Sequence, residues 1–183
     1  MSFIPDPETA PEPSTRLSAA ERAFYARQLI LPEIGMAGQL KLKAARVAVL
    51  GAGGLGAPAL LYLAGAGVGE IIIIDDDSIE ISNLHRQVIH SYARAGNSKA
   101  ESAAETMRAL NPFITVTVIR ERLTDSNALT LLTGTDAVLD GSDNFEARYA
   151  VSAAVQQLGI PHIWAAILGF DAQLSVFWPG RGP

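Results

Sequence analysis

The sequence predicts an α/β domain with a doubly wound, mostly parallel β-sheet and an N-terminal helical extension. Short apolar runs, suited to strands that are buried on both faces, alternate along the chain with segments of helical pattern. A glycine-rich turn separates the first of these runs from the helical segment that follows it. Strands that alternate with helices form βαβ units, and their strands run parallel in one sheet. We therefore expect a single sheet with helices on both faces.

The N-terminal region divides into a tail and two helices. The first 17 residues are rich in proline and acidic residues and contain little to bury, so we expect a disordered tail. The domain itself is expected over residues 18–183. Ser18 and Glu21 form a capping-box pattern, which predicts a helix through about Gln28. A second short helix is expected over residues 36–43.

The remaining elements follow in alternation. Strands are predicted at residues 46–50, 70–75, 115–120, 137–139, 161–165 and 172–178, the last as an edge or antiparallel strand. Helices are predicted at residues 57–66, 98–110, 125–132 and 145–158. Pro58 fits the first turn of its helix, a second capping box begins at Ser98, and Pro112 marks a helix end. Residues 78–96 are expected to form a long irregular excursion.

Composition excludes several classes of function. The 183 residues carry a formal net charge of −5, which argues against non-specific nucleic-acid binding. The chain contains no cysteine, so disulfides, thiolate metal sites and cysteine nucleophiles are absent from it. No apolar run is long enough to cross a bilayer, and the N-terminus has no apolar signal-peptide core. We expect a cytoplasmic protein without a membrane or nucleic-acid partner.

The glycine-rich turn indicates a nucleotide site. Gly51, Gly53 and Gly56 form a G-x-G-x-x-G pattern between a predicted strand and a predicted helix, the context in which such turns bind phosphates. Asp75 ends the next strand, where an acidic side chain can bind ribose hydroxyls. This pattern predicts a Rossmann-like fold that binds an adenosine nucleotide. It does not distinguish ATP from NAD, and a tight turn without a ligand is the alternative.

Polar residues after Asp75 favour ATP. The excursion carries Asn83, Arg86 and Gln87, and an arginine makes forked, charge-assisted contacts to phosphate oxygens. Lys99 stands at the first position of a predicted helix, where its charge opposes the helix dipole unless an anion binds there. Ordinary solvated side chains are the alternative for both cations.

Asp143 and Asn144 follow the strand at residues 137–139. Strand ends that flank the reversal of strand order share one crevice, so Asp75 and Asp143 are expected on two sides of one ligand. A carboxylate that faces a triphosphate typically binds Mg²⁺. Asp143 is therefore the candidate metal ligand, and capping of the next helix is its alternative role.

Together these residues resemble the ThiF/MoeB/HesA family, the bacterial relatives of the ubiquitin-activating enzymes. The matching segments are residues 24–28, 51–56, 75–77, 82–87, Lys99 and residues 142–144. The resemblance implies that the C-terminal glycine carboxylate of a ubiquitin-like sulfur carrier, of the MoaD or ThiS type, attacks the α-phosphate of Mg·ATP. Pyrophosphate then leaves. Molybdopterin and thiamine biosynthesis both remain open as pathways.

The resemblance also assigns roles to individual residues. Gly54 would approach the nucleotide, Asp75 and Asp77 belong to the acidic segment at the ribose, and Asp143 would bind Mg²⁺. The nucleotide contacts and the neutralisation of the phosphates would come from Asn83, Arg86, Gln87, Lys99 and Asn144. Arg27 would reach into the site of a neighbouring subunit, which implies a homodimer.

One departure from the family concerns zinc. Family members usually carry C-x-x-C pairs whose cysteines bind zinc. These zinc ligands are absent here because the chain has no cysteine. We therefore expect a chain that stops before this region and performs at most the adenylation step. An NAD-dependent oxidoreductase domain and a non-catalytic dimeric nucleotide-binding scaffold are the competing hypotheses.

Overall fold

The computed structural model describes residues 16–182. Its helices are α1 (Ala19–Phe24), α2 (Ala26–Leu29), α3 (Gly35–Ala44), α4 (Gly56–Ala66), α5 (Lys99–Leu110), α6 (Ala128–Leu132) and α7 (Phe145–Leu158). Its strands are β1 (Arg46–Leu50), β2 (Glu70–Ile74), β3 (Thr115–Ile119), β4 (Ala137–Asp140), β5 (His162–Leu168) and β6 (Asp171–Phe177). Two short 3-10 turns, Ile81–Asn83 and Tyr92–Arg94, interrupt the predicted irregular excursion.

The six strands form one sheet in the order β3-β2-β1-β4-β5-β6. The pairs from β3 through β5 are parallel, and β6 pairs antiparallel with β5. The strand order reverses at β1, which lies between β2 and β4. This confirms the predicted Rossmann-like, doubly wound fold with an antiparallel last strand.

The core consists of two apolar layers, one on each face of the sheet. Alternate residues of a strand point to opposite faces, so Ile71 and Ile73 pack with α4 and α5, whereas Ile72 and Ile74 pack with α6 and α7. All four isoleucines are at most 2% exposed. Burial of one such side chain contributes about 1.5–3 kcal/mol, so the run at β2 is a main source of stability.

The first predicted helix is divided in two, which corrects the prediction of one helix through Gln28. The Ser18 capping box forms in both directions, but α1 ends at Phe24 and Tyr25 leaves helical geometry. The cause is tertiary: the ring of Tyr25 is buried against Phe113, and its hydroxyl accepts a hydrogen bond from Asn111. The N-terminal helices are thus anchored to the end of α5.

Other boundaries differ by a few residues. The strand predicted to include Asp75 ends at Ile74, and the helix predicted from residue 125 begins at Ala128 because residues 124–127 form a hydrogen-bonded turn. The predicted tail lies mostly outside the described residues, but its last residue, Leu17, is buried and belongs to the packed domain. Within the described part of the chain, no helix combines the length and apolar character needed to span a bilayer.

Candidate functional site

A cleft of about 560 Å³ opens at the C-terminal ends of β1, β2 and β4. These strands flank the reversal of strand order, where the connecting helices diverge to opposite faces and leave a crevice. The volume is within the range typical of small-molecule sites. The glycine turn after β1, the acidic segment after β2 and the loop after β4 all contribute to its wall.

The glycine turn connects β1 directly to α4. Gly51 has φ +87°, which favours glycine, and its N–H donates to the Ile74 carbonyl at 3.0 Å. Gly51, Gly53 and Gly54 line the cleft, whereas Gly56 does not. A Cβ on Gly56 would lie 1.8 Å from the Gly51 carbonyl oxygen. The last glycine of the pattern therefore permits close packing of the turn and does not contact the cleft.

Asp75 fixes the glycine turn from the neighbouring strand. Its carboxylate accepts hydrogen bonds from the backbone N–H of Ala52 at 2.7 Å and of Asp77 at 2.9 Å. Burial raises the pKa of the Asp75 carboxyl, while the two backbone hydrogen bonds and the charge of Lys99 act in the opposite direction. Asp75 also lines the cleft, so a carboxylate already held in place is available to a ligand.

Lys99 is a buried cation at the N-terminus of α5. Ser98 caps this helix by accepting a hydrogen bond from the Glu101 N–H, which is one of the two hydrogen bonds of the predicted capping box. Only 8% of the Lys99 side chain is exposed, and its Nζ donates to Asp77 Oδ2 at 2.7 Å. Lys99 and Asp77 both line the cleft, so the ion pair holds the cation in a position where an anionic ligand can contact it.

Arg86 lies over the glycine turn. A Cβ on Gly54 would be 3.6 Å from both Cγ and Cδ of Arg86, so the side chain and the turn are in close proximity. The guanidinium donates to Asn83 Oδ1 at 2.9 Å and lies 3.1 Å from His85 Nε2. Arg86 lines the cleft and Asn83 does not, so Asn83 contacts the site indirectly, by accepting a hydrogen bond from the arginine.

Gln87 presents a buried amide to the cleft. The residue is 3% exposed, and within the described chain its Oε1 has no hydrogen-bonding partner. Burying an amide oxygen without a partner costs free energy, so an acceptor in this position indicates a missing donor. Gln87 lies next to Gly53, with Nε2 at 3.6 Å from a Cβ placed there.

The loop after β4 carries Asp143 and Asn144, which both line the cleft. Asn144 caps α7 by accepting a hydrogen bond from the Ala147 N–H at 2.9 Å, so the capping role considered for Asp143 belongs to its neighbour. Asp143 is exposed. Asp140, at the end of β4, holds the start of the loop: it is fully buried, and its carboxylate accepts a hydrogen bond from the Ser142 N–H at 2.9 Å.

Arg27 lies apart from these residues. It is exposed on α2 and does not line the cleft. The structure thus brings together every predicted site residue except Arg27, Asn83 and Gly56, of which the last two contact the site indirectly. The functional roles assigned to these residues remain predictions.

Three residues near the site had no signal in the sequence. Asp140 bonds to His162 Nε2 at 3.1 Å, Arg148 donates to the Ser142 carbonyl at 2.8 Å, and His90 contacts the glycine turn. Each partner is distant in sequence or belongs to the backbone, and no local motif marks such contacts. Across residues 16–182, no group of three or more His, Asp or Glu side chains is arranged to hold a metal.

Comparison with known proteins identifies the relatives. The chain is 53% identical over 167 residues to the probable adenylyltransferase/sulfurtransferase MoeZ of Mycobacterium tuberculosis, covering 91% of this chain and 43% of that protein. It is 48% identical over 162 residues to the sulfur carrier protein adenylyltransferase of Thermus thermophilus, covering 88% of this chain and 60% of the relative. The chain therefore spans about half the length of the curated relatives it matches.

A solved structure and a family profile agree with these relatives. The E. coli tRNA N6-threonylcarbamoyladenosine dehydratase TcdA, in complex with AMP, superposes with a TM-score of 0.78 at 30% identity, covering 82% of this chain and 61% of that one. The profile of the ThiF family matches residues 25–183. The chain belongs to the ThiF family.

Proposed function

We propose that this domain binds Mg·ATP and adenylates the C-terminal carboxylate of a ubiquitin-like sulfur-carrier protein. One observation carries the proposal: Arg86 and Lys99 line the same cleft as the glycine turn, and Asp75 lines it as well. The arrangement offers cations to phosphates and a carboxylate to a sugar. Relatives named as adenylyltransferases, and a solved relative in complex with AMP, support an adenine nucleotide as the ligand.

The chemistry requires positioning and charge neutralisation. A carboxylate oxygen forms a bond to the α-phosphorus of ATP, the bond from that phosphorus to the bridging oxygen breaks, and pyrophosphate departs with the electron pair. Charge develops on the phosphate oxygens during this displacement, and fixed cations stabilise it. Arg86 and Lys99 are the groups that would do so. No acid–base pair is needed, because the attacking carboxylate is already ionised.

Asp143 fits the role of a magnesium ligand. Magnesium in nucleotide sites takes one or two carboxylates, with phosphate and water oxygens completing its shell. A single exposed carboxylate on the cleft wall matches this requirement, and no cluster of protein ligands is necessary. When bound, the ion would supply further charge neutralisation at the phosphates.

The partners belong to the proposal as well. The name of the Thermus thermophilus relative supports a sulfur-carrier protein as the substrate, and we propose that this carrier is of the MoaD or ThiS type. The exposed position of Arg27, outside its own cleft, is compatible with a contact to the cleft of a second copy in a homodimer. A cytoplasmic location, where ATP is available, accompanies this function.

Carrier-dependent exchange of labelled pyrophosphate into ATP tests the proposal. Arg86→Ala and Asp143→Ala are expected to reduce the exchange rate about 100-fold or more, as removal of a group that stabilises developing charge does. Arg94→Ala is the matched control, since Arg94 pairs with Glu105 and does not line the cleft. Equal losses in all three variants would contradict the assignment. Tight binding of NAD without binding of ATP would instead favour the oxidoreductase hypothesis.

A further inference from the structure

Ala52, in the glycine turn, is held at both of its backbone polar groups. Its N–H donates to Asp75, and its carbonyl oxygen lies 2.9 Å from His90 Nε2. A carbonyl oxygen can only accept a hydrogen bond, so Nε2 carries the proton and donates. Ala52 is fully buried and His90 is 8% exposed, so water does not compete for this contact.

The second ring nitrogen of His90 has a matching partner. With the proton on Nε2, the neutral ring has an acceptor at Nδ1, and the Ser102 hydroxyl lies 3.1 Å from it and donates. Burial lowers the pKa of His90, and the positive charge of Lys99 lowers it further, so the neutral ring is favoured. Ser102 is fully buried on α5, three residues after Lys99. The Ala52 carbonyl therefore sets the tautomer of His90, and the Ser102 hydroxyl, on the helix that carries the buried cation, pairs with the remaining ring nitrogen.

The contact at Ala52 determines the direction of the next N–H group. The Ala52 carbonyl and the Gly53 N–H belong to the same planar peptide unit, and no cis peptide bond occurs in the described residues. In a trans unit these two groups point in opposite directions. Gly53 lines the cleft, whereas His90 and Ala52 do not. Over residues 16–182 the Gly53 N–H has no protein acceptor.

We propose that His90 is a positioning residue for nucleotide binding: by holding the Ala52 carbonyl, it presents the Gly53 N–H to a phosphate group. The inference rests on the proposed function, in that the anion is a phosphate of ATP. Without His90, the Ala52–Gly53 peptide is free to rotate. Rotation would replace a donor on the cleft wall by a carbonyl oxygen, which repels phosphate.

Binding of two probes, Mg·ATP and adenosine, tests the inference. A hydrogen bond to a charged group corresponds to roughly 10- to 100-fold in affinity, so His90→Leu should weaken Mg·ATP binding by this factor. Adenosine has no phosphate, and its dissociation constant should stay the same. His90→Gln keeps an N–H donor and should recover most of the ATP affinity. The Gly53 amide resonance of His90→Leu should move and that of His90→Gln should stay near the wild-type position.

Several outcomes would overturn the role. Equal weakening of both probes would indicate a general structural function, and unchanged ATP binding by folded His90→Leu would exclude positioning. If His90→Leu does not fold, Ser102→Ala gives the test. This variant should lose several-fold in affinity for ATP and keep its affinity for adenosine. An unchanged affinity for ATP would overturn the inference. If the wild-type chain does not bind ATP, the proposed function fails. The Gly53 amide comparison would then still decide whether His90 orients the turn.

Discussion

Two glycines of α4 should respond oppositely to the same substitution. A Cβ on Gly56 would lie 1.8 Å from the oxygen and 2.8 Å from the carbon of the Gly51 carbonyl, both in backbone. At Gly65, in the same helix, a Cβ would meet no atom within 4 Å. The pair separates steric exclusion from helix propensity, because the added methyl group is identical.

The expected magnitudes follow from these distances. A Cβ atom essentially never lies within 3.0 Å of an atom of another residue in the packing around it, so Gly56→Ala requires the turn and the helix to separate by more than 1 Å. Close-packed interiors do not absorb such shifts, and we expect a loss of about 3 kcal/mol or more in the free energy of unfolding. Gly65→Ala should gain about 0.5–1 kcal/mol, since alanine favours the helix.

Urea unfolding followed by circular dichroism measures both variants against the wild type. Because Gly51 lies on the cleft, Gly56→Ala should also weaken ATP binding, while Gly65→Ala should not. A Gly56→Ala protein within about 0.5 kcal/mol of wild type would refute the packing role of this glycine.

Three further predictions concern buried polar groups. Asn111→Ala removes hydrogen bonds to Tyr25, the Ala64 carbonyl and the Phe113 N–H, and should lower the free energy of unfolding in urea by about 3 kcal/mol. Tyr25→Phe removes only one of these bonds and should lower it by about 1 kcal/mol, so similar losses in the two variants would contradict the prediction. Asp77→Asn removes the ion-pair partner of the buried Lys99 and should destabilise the nucleotide-free protein by about 1 kcal/mol. This value is small because Asp77 is largely exposed, and salt should reduce the difference. Burial lowers the pKa of His90, so below pH 6.5 the unfolded chain binds a proton that the folded chain does not. The free energy of unfolding should therefore decrease as the pH is lowered, by up to about 1.4 kcal/mol per pH unit. Urea midpoints from pH 7 to pH 5 should decline less in His90→Gln; parallel curves would contradict this.

Sequence reasoning succeeded where local pattern and topology act together. Apolar runs such as Ile71–Ile74 predict buried strands, and parallel strands bring their C-terminal ends to one edge of the sheet. That rule was sufficient to place Asp75 and Asp143 on the same cleft as the glycine turn. The predicted start of α5 was correct because the Ser98 cap is a local signal.

The remaining features depend on partners that are distant along the chain. The break at Tyr25 results from contacts to Asn111, 86 residues away. The hydrogen bond from His90 to the Ala52 carbonyl spans 38 residues and involves a backbone group, which leaves no trace in residue type. A histidine that supports a turn has the same sequence signature as a histidine of the surface. Such roles become visible only when the packing is known.

Helix α5 begins at Lys99 and ends where Asn111 holds the N-terminal helices. Its 12 residues span about 18 Å, so α5 extends from the cleft to the point where the Asn111 side chain donates a hydrogen bond to Tyr25. A ligand at Lys99 and the Tyr25 hydroxyl therefore contact opposite ends of a single helix. In this architecture, the buried cation at the cleft and the attachment point of the N-terminal helices are carried by one and the same helix.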